Sequence, residues 1–167
     1  MGSEMCIRDR AQLPCEPSPH DRYWKIALAV PDIELACRQL AERGVDISQP
    51  QQFKNIGYLV HFKDPEGFSI ELIDHAFIGE RCIEPVDQNK LGGGAHFNLL
   101  TLRTASIEKA RQICVAWGMV PLSIQPVEDY GFTLYFFAFT DELPPSSDLQ
   151  AIENLSLIHI SEPTRPY

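Results

Sequence analysis

A chain of 167 residues, 44% hydrophobic and 22% charged, has the make-up of a globular protein with room for one ordinary domain or two small modules. Its formal net charge of -9 repels phosphate backbones and anionic lipid, so nucleic acid and membrane surfaces are excluded as partners and a small-molecule substrate is expected. No apolar run approaches the roughly 20 residues that a membrane-spanning helix needs.

The two ends stand apart. Residues 2–10 (GSEMCIRDR) and 155–163 (LSLIHISEP) can be encoded on opposite strands of one DNA stretch. Such an inverted repeat resembles the mosaic end and adapter of transposon-based sequencing libraries. Residues 1–10 and 155–167 are therefore expected to be translated adapter and are set aside from fold reasoning, together with Cys6 and His159 as candidate ligands. The native termini are then unseen. Cys15, Cys37, Cys82 and Cys114 remain, without a CxxC spacing that would suggest zinc or redox work. Cys37 and Cys114 sit on apolar helical faces, where a thiol acts as a small hydrophobe. A reducing, cytoplasmic setting is expected.

Residues 11–21 are rich in proline and polar residues and read as a linker. Tyr23–Val30 (YWKIALAV) alternates as a strand, with Trp24, Ile26, Leu28 and Val30 on one face and Lys25, Ala27 and Ala29 on the other. Pro31-Asp32 opens a helix in which Ile33, Ala36, Cys37, Leu40 and Ala41 recur at helical spacing, and Gly44 closes it. A short strand is predicted at 45–47, and two longer ones at 57–62 (GYLVHF) and 68–73 (FSIELI). The last two are joined by Asp64-Pro65-Glu66-Gly67, where proline presets φ and glycine permits a positive φ.

That order, strand, helix, strand, strand, strand, starts again after Gly92-Gly93-Gly94. One constant offset carries Asp32-Ile33-Glu34 onto Ser106-Ile107-Glu108, Gly44 onto Gly118, and Gly57-Tyr58 onto Gly131-Phe132. The second copy has a predicted strand at His96–Arg103, a helix from Ser106 with Ile107, Ala110, Cys114 and Trp117 inward, and strands at 120–125 and 131–139. Its closing strand is missing before the adapter begins. The expected organisation is a linker at 11–21, a first βαβββ module at 22–75, a linker at 76–95 and a truncated second module at 96–154. The three glycines lack any phosphate-loop spacing and read as a flexible joint.

The segments IALAVPDIELACRQLAERGV and GYLVHFKDPEGFSIELI, with the DPxG turn and the IEL strand, resemble the vicinal-oxygen-chelate superfamily. That superfamily includes glyoxalase I, extradiol dioxygenases and bleomycin-resistance proteins. FTLYFFAFTDELPP in the second copy is similar to the first half of glyoxalase I, so the halves stand in reverse order, as in a piece of a longer multi-module parent or in a permuted two-module protein. The resemblance implies an α+β fold of paired βαβββ modules forming a cup. In glyoxalase I, a lactoylglutathione lyase, the cup holds a divalent metal (zinc, nickel or iron are the candidates) that stabilises an enolate while a carboxylate moves a proton.

By that resemblance Glu71 in the last strand of the first module is the metal ligand or the displaced catalytic base. Alternation puts it on the concave side with Ile73; its plainer role is pairing with a cation. Lys25 stands where the family usually places a histidine, and an ammonium has no lone pair for a metal. In the second module His96 and Asn98 both fit the ligand position, and His96 is the better donor. His61 is a further strand histidine, His75 follows the strand end and His20 lies in the linker. Three functions follow as expectations. The first is a glyoxalase-like metal-dependent lyase or isomerase acting on an α-carbonyl compound or its thiol adduct. The second is a metal-free binding module of the bleomycin-resistance type, and the third is an extradiol dioxygenase using His61, His96 and Glu71. Without a closing strand the fragment is expected to be inactive and to associate through its open sheet edge. A homodimer, or pairing with further modules of the parent, is the expected assembly.

Overall fold

The computed structural model describes residues 17–18, 20–54, 56–75, 85–141 and 158–163. Most of both tails, Cys15, Cys82 and residues 142–157 lie outside them, so the expected adapter boundary is not tested there.

The first module runs β1 (Tyr23–Val30), α1 (Ile33–Glu42), β2 (Gln51–Phe53), β3 (Gly57–Lys63) and β4 (Ser69–Asp74). Asp32 caps α1 by accepting the Leu35 amide at 2.8 Å. Ile33, Ala36 and Cys37 are buried against the sheet with Val30, Val60 and Leu72, and Leu40 packs at the edge of this cluster. Ala41, expected inward, is exposed because it sits in the last turn, beyond the sheet contact. The β3–β4 turn is held by the Asp64 carboxylate, which accepts from the Glu66 and Phe68 amides at 2.9 and 2.8 Å, with Gly67 at φ 90°. The short strand forms at Gln51–Phe53, not at 45–47, because only there does the chain run antiparallel beside β3.

The second module repeats this with β5 (His96–Arg103), α2 (Ile107–Ala116), β6 (Val120–Val127), β7 (Phe132–Ala138) and β8 (Ile158–Pro163). Cys114 is buried with Met119, Phe137 and Ile160, and Ile107 and Ala110 pack against them. Trp117, expected on the same face, is 62% exposed. It is the residue on which α2 ends, and Gly118 turns the chain away at φ 87°.

Two expectations are corrected. The second module does not lack its last strand: β8, drawn from the segment read as adapter, lies parallel to β5 and antiparallel to β7, the place β4 takes beside β1 and β3. The slot between β5 and β7 offers backbone partners on both sides, and Ile160 fills the apolar layer over α2. The open edge and half-built cup expected from a missing strand therefore do not arise. Nor is the triple glycine a joint. Leu91–Gly93 form one turn of 3-10 helix docked on α1, where Gln39 donates to the Gln88 and Lys90 carbonyls and accepts from the Gly92 amide. A Cβ on Gly92 would come within 2.8 Å of the Val30 Cβ, so glycine is demanded by contact as well as by its φ of 55°.

The eight strands form one mixed sheet in the order β2-β3-β4-β1-β5-β8-β7-β6, which reads alike from either end when the modules are exchanged. The modules meet at the antiparallel β1–β5 pair. In a flat sheet β3 and β7, five steps apart, would be separated by about 24 Å at ~4.8 Å per strand. Instead side chains of both line one cavity, so the sheet curls into a cup with α1 and α2 on its convex side. The rims touch, with Phe53 against Tyr130 at 5.3 Å between ring centroids and Lys54 bonded to Asp129 at 2.7 Å.

Candidate functional site

The cup's polar floor comes from three neighbouring strands. His61 on β3 lies opposite Glu71 on β4, Glu71 lies beside Ala27 on β1, and Lys25 pairs across the module seam with Thr101 on β5. Alternation thus sends Lys25, His61 and Glu71 to one face. A bulge between Tyr23 and Lys25 adds Trp24 to the cavity wall, although simple alternation places it with the helix-facing residues. An extra residue in a strand re-aims its side chain in this way.

Glu71 is 4% exposed. Its Oε2 accepts a short hydrogen bond from Lys25 Nζ and lies 2.7 Å from His61 Nε2, and Lys25 Nζ is 3.1 Å from the same ring nitrogen. Burial pushes the Glu71 carboxyl upward, but the Lys25 charge and the His61 hydrogen bond outweigh it and hold the group at about 2. Glu71 is therefore a carboxylate at any physiological pH, and a weak base while Lys25 stays on it.

Above this floor is a cavity of about 170 Å³. Trp24, Phe53, Tyr130 and Phe132 supply aromatic wall, and Leu59 and Leu134 are among its aliphatic residues. Thr101 also lines it, fully buried, and its Oγ1 has no hydrogen-bond partner among the described residues. A buried hydroxyl left so costs about 1–3 kcal/mol, which a ligand atom can recover. Residue types alone gave no signal for Thr101, which reads as an ordinary strand threonine. The bulge at Trp24 likewise leaves no trace in the sequence.

Of the expected site residues, Glu71 and His61 come together and His96 does not join them. His96 pairs with Ala29 at the other end of the cup, exposed, its ring 4.9 Å from that of His75. A second bulge makes Asn98 the extra residue of β5, so counting by twos fails between His96 and Leu99. Among the described residues no three His, Cys, Asp or Glu side chains gather as a ligand set. The residues present do not fit a divalent ion: the Lys25 ammonium is bonded to the Glu71 oxygen that His61 also reaches, so the site already holds a cation.

No protein-family model matches the chain, and no curated protein is detectably similar in sequence. Solved structures do match, and together with the topology they define the fold as that of the glyoxalase, or vicinal-oxygen-chelate, proteins. Glyoxalase I from Zea mays superposes with a TM-score of 0.59 at 18% identity, over 85% of this chain and 43% of that one. A hypothetical protein from Bacillus halodurans matches with a TM-score of 0.51 at 14% identity, over 89% of this chain and 98% of that one. A proposed dioxygenase from Bacillus subtilis matches at 0.51 and 18%, over 87% of this chain and 42% of that one. The chain thus spans less than half the length of the glyoxalase I chains it resembles. No helix among the described residues is long and apolar enough to cross a membrane.

Proposed function

We propose that this chain forms the binding cup of a glyoxalase-fold protein that holds a compact organic molecule without a metal, the binding-module alternative of the sequence reading. One observation carries this reading: the Lys25 ammonium neutralises Glu71 from within the chain. The metal-dependent lyase or isomerase and the extradiol dioxygenase both need an added cation at Glu71, and the dioxygenase also needs His96 beside it.

The cavity supports a ligand of stated size and chemistry. Its volume of about 170 Å³ is close to the ~150 Å³ of an apolar cavity that takes up benzene. The walls favour a single ring or a short branched skeleton, and Thr101 favours one hydroxyl or carbonyl on it. The internal ion pair leaves no charge for the ligand to balance. The coverage of larger relatives supports pairing with further modules of a parent chain, or with a second copy, as part of the same proposal.

The test is a titration followed by Trp24 fluorescence in a Trp117→Phe background, with a chelator present throughout. Phenol and cyclohexanol are expected to bind saturably and about tenfold more tightly than toluene and cyclohexane, the value of one hydrogen bond worth ~1.4 kcal/mol. Ligand binding, or turnover of an α-ketoaldehyde thiol adduct, that appears only on adding a divalent ion would sink the proposal.

A further inference from the structure

We infer that Glu71 and His61 form a latent divalent-metal site, and that the Lys25 ammonium is a tethered cation occupying its metal position. This rests on the metal-independent reading above and adds what that reading leaves open, namely why the cup takes no metal and which single side chain decides it.

A carboxylate oxygen and an imidazole nitrogen, the donor types that first-row ions select, lie 2.7 Å apart in hydrogen-bond contact. Lys25 Nζ sits against both donors, bonded to the oxygen and 3.1 Å from the nitrogen. Both donors are set by the β3–β4 register, whereas Lys25 reaches them from β1 on the other side of β4. Removing the lysine therefore removes the cation without disturbing the backbone that aims the donors. The carboxylate is 4% exposed, and a buried negative charge demands a positive partner. Nζ fills that need, and it also repels any incoming ion from the only oxygen that His61 shares. Thr101, opposite Lys25 in the register, lines the same cavity with a hydroxyl that nothing among the described residues engages.

Lys25→His keeps a side chain on β1 and replaces the cation with a third donor. The full chain and this variant are titrated with zinc chloride by calorimetry and with cobalt chloride by visible absorption, after circular dichroism has shown that both fold. The variant is expected to bind one ion with affinity raised at least about 100-fold, beyond what loss of an outer-shell partner alone costs, and to give a cobalt ligand-field band. Lys25→His with Glu71→Gln is expected to lose both. If Lys25→His does not fold, Lys25→Gln takes its place, with a smaller gain expected from two donors. In the unmodified chain, micromolar zinc is expected to leave the His61 ring resonances unmoved. A folded variant with no gain, a gain indifferent to Glu71→Gln, or zinc binding at His61 of the unmodified chain would each overturn the inference. None of these readouts involves the organic ligand, so failure here and failure of the ligand titration are told apart.

Discussion

Replacing Lys25 with methionine keeps most of the side-chain volume and deletes the charge that Glu71 depends on. Two routes give the size of the effect. Glu71 is held at about 2 against an ordinary value of 4.5, and at ~1.4 kcal/mol per pH unit that gap, the net of burial against Lys25 and His61 together, is worth roughly 3–4 kcal/mol. Removing one partner of a buried ion pair costs about 3–5 kcal/mol, and because His61 still reaches Glu71 the lower end applies. The pH dependence has a definite sign. A carboxyl whose folded value is depressed contributes stability that is fully present above its unfolded value, here 4.5, and is lost as the pH falls toward 2. In Lys25→Met burial is opposed by His61 alone, so the Glu71 carboxyl moves upward and acid relieves the buried charge. Urea unfolding of the parent, Lys25→Met and Lys25→Met/Glu71→Gln at pH 7 and pH 4 is the assay. The single variant should trail the parent by about 3 kcal/mol at pH 7 and by clearly less at pH 4, and the double variant should recover most of the loss. An equal deficit at both pH values, or a double variant no better than the single, would refute the assignment of Glu71 as a charge held by Lys25.

Gly92→Ala should cost about 2–6 kcal/mol, since a positive φ and overpacking each cost ~1–3, whereas Gly118→Ala, with positive φ and nothing within 4 Å, should cost the first of these alone, about 1–3; thermal melts separate the two. Thr101→Val removes a buried hydroxyl without a partner and should raise the stability of the free chain by about 1 kcal/mol while erasing the preference for phenol over toluene. Leu134→Trp should fill the cavity and abolish Trp24-detected binding without changing the far-ultraviolet circular dichroism. Burial and the neighbouring His96 hold the His75 imidazole below its usual value, so the unfolded chain takes up protons first and the fold weakens as pH falls below about 6.5; His75→Gln should flatten that part of the stability curve.

Much of this architecture was legible because it is written in periodicity. Tyr23–Val30 and His96–Arg103 carry their strand bounds in plain alternation, and Asp32 and Gly44 punctuate α1 as cap and stop. The repeat offset then fixed two like modules. Glu71 on the concave face and Lys25 opposite it were likewise readable, since both follow from counting by twos along unbroken stretches. Where a bulge interrupts the count, at Trp24 and at Asn98, sequence reasoning loses the face: Trp24 reads as helix-facing, and His96, the ligand that the resemblance implies, sits away from Glu71. Gly92-Gly93-Gly94 show a different limit. Composition cannot distinguish glycine chosen for freedom from glycine chosen because Val30 and Ala36 leave no room. β8 lies in the segment that the inverted repeat marks as adapter, so sequence reasoning places no strand there.

The antiparallel meeting of β1 with β5 divides labour between the two copies. Lys25, His61 and Glu71 all belong to the first, while Tyr130, Phe132 and Leu134 belong to the second. Trp24, Phe53 and Leu59 of the first copy and Thr101 of the second complete the lining, and substitutions at Tyr130, Phe132 or Leu134 can resize the chamber for a new guest without touching the charged trio. A duplicated ancestor that fused its halves this way could explore ligands through one half while the other stayed constant.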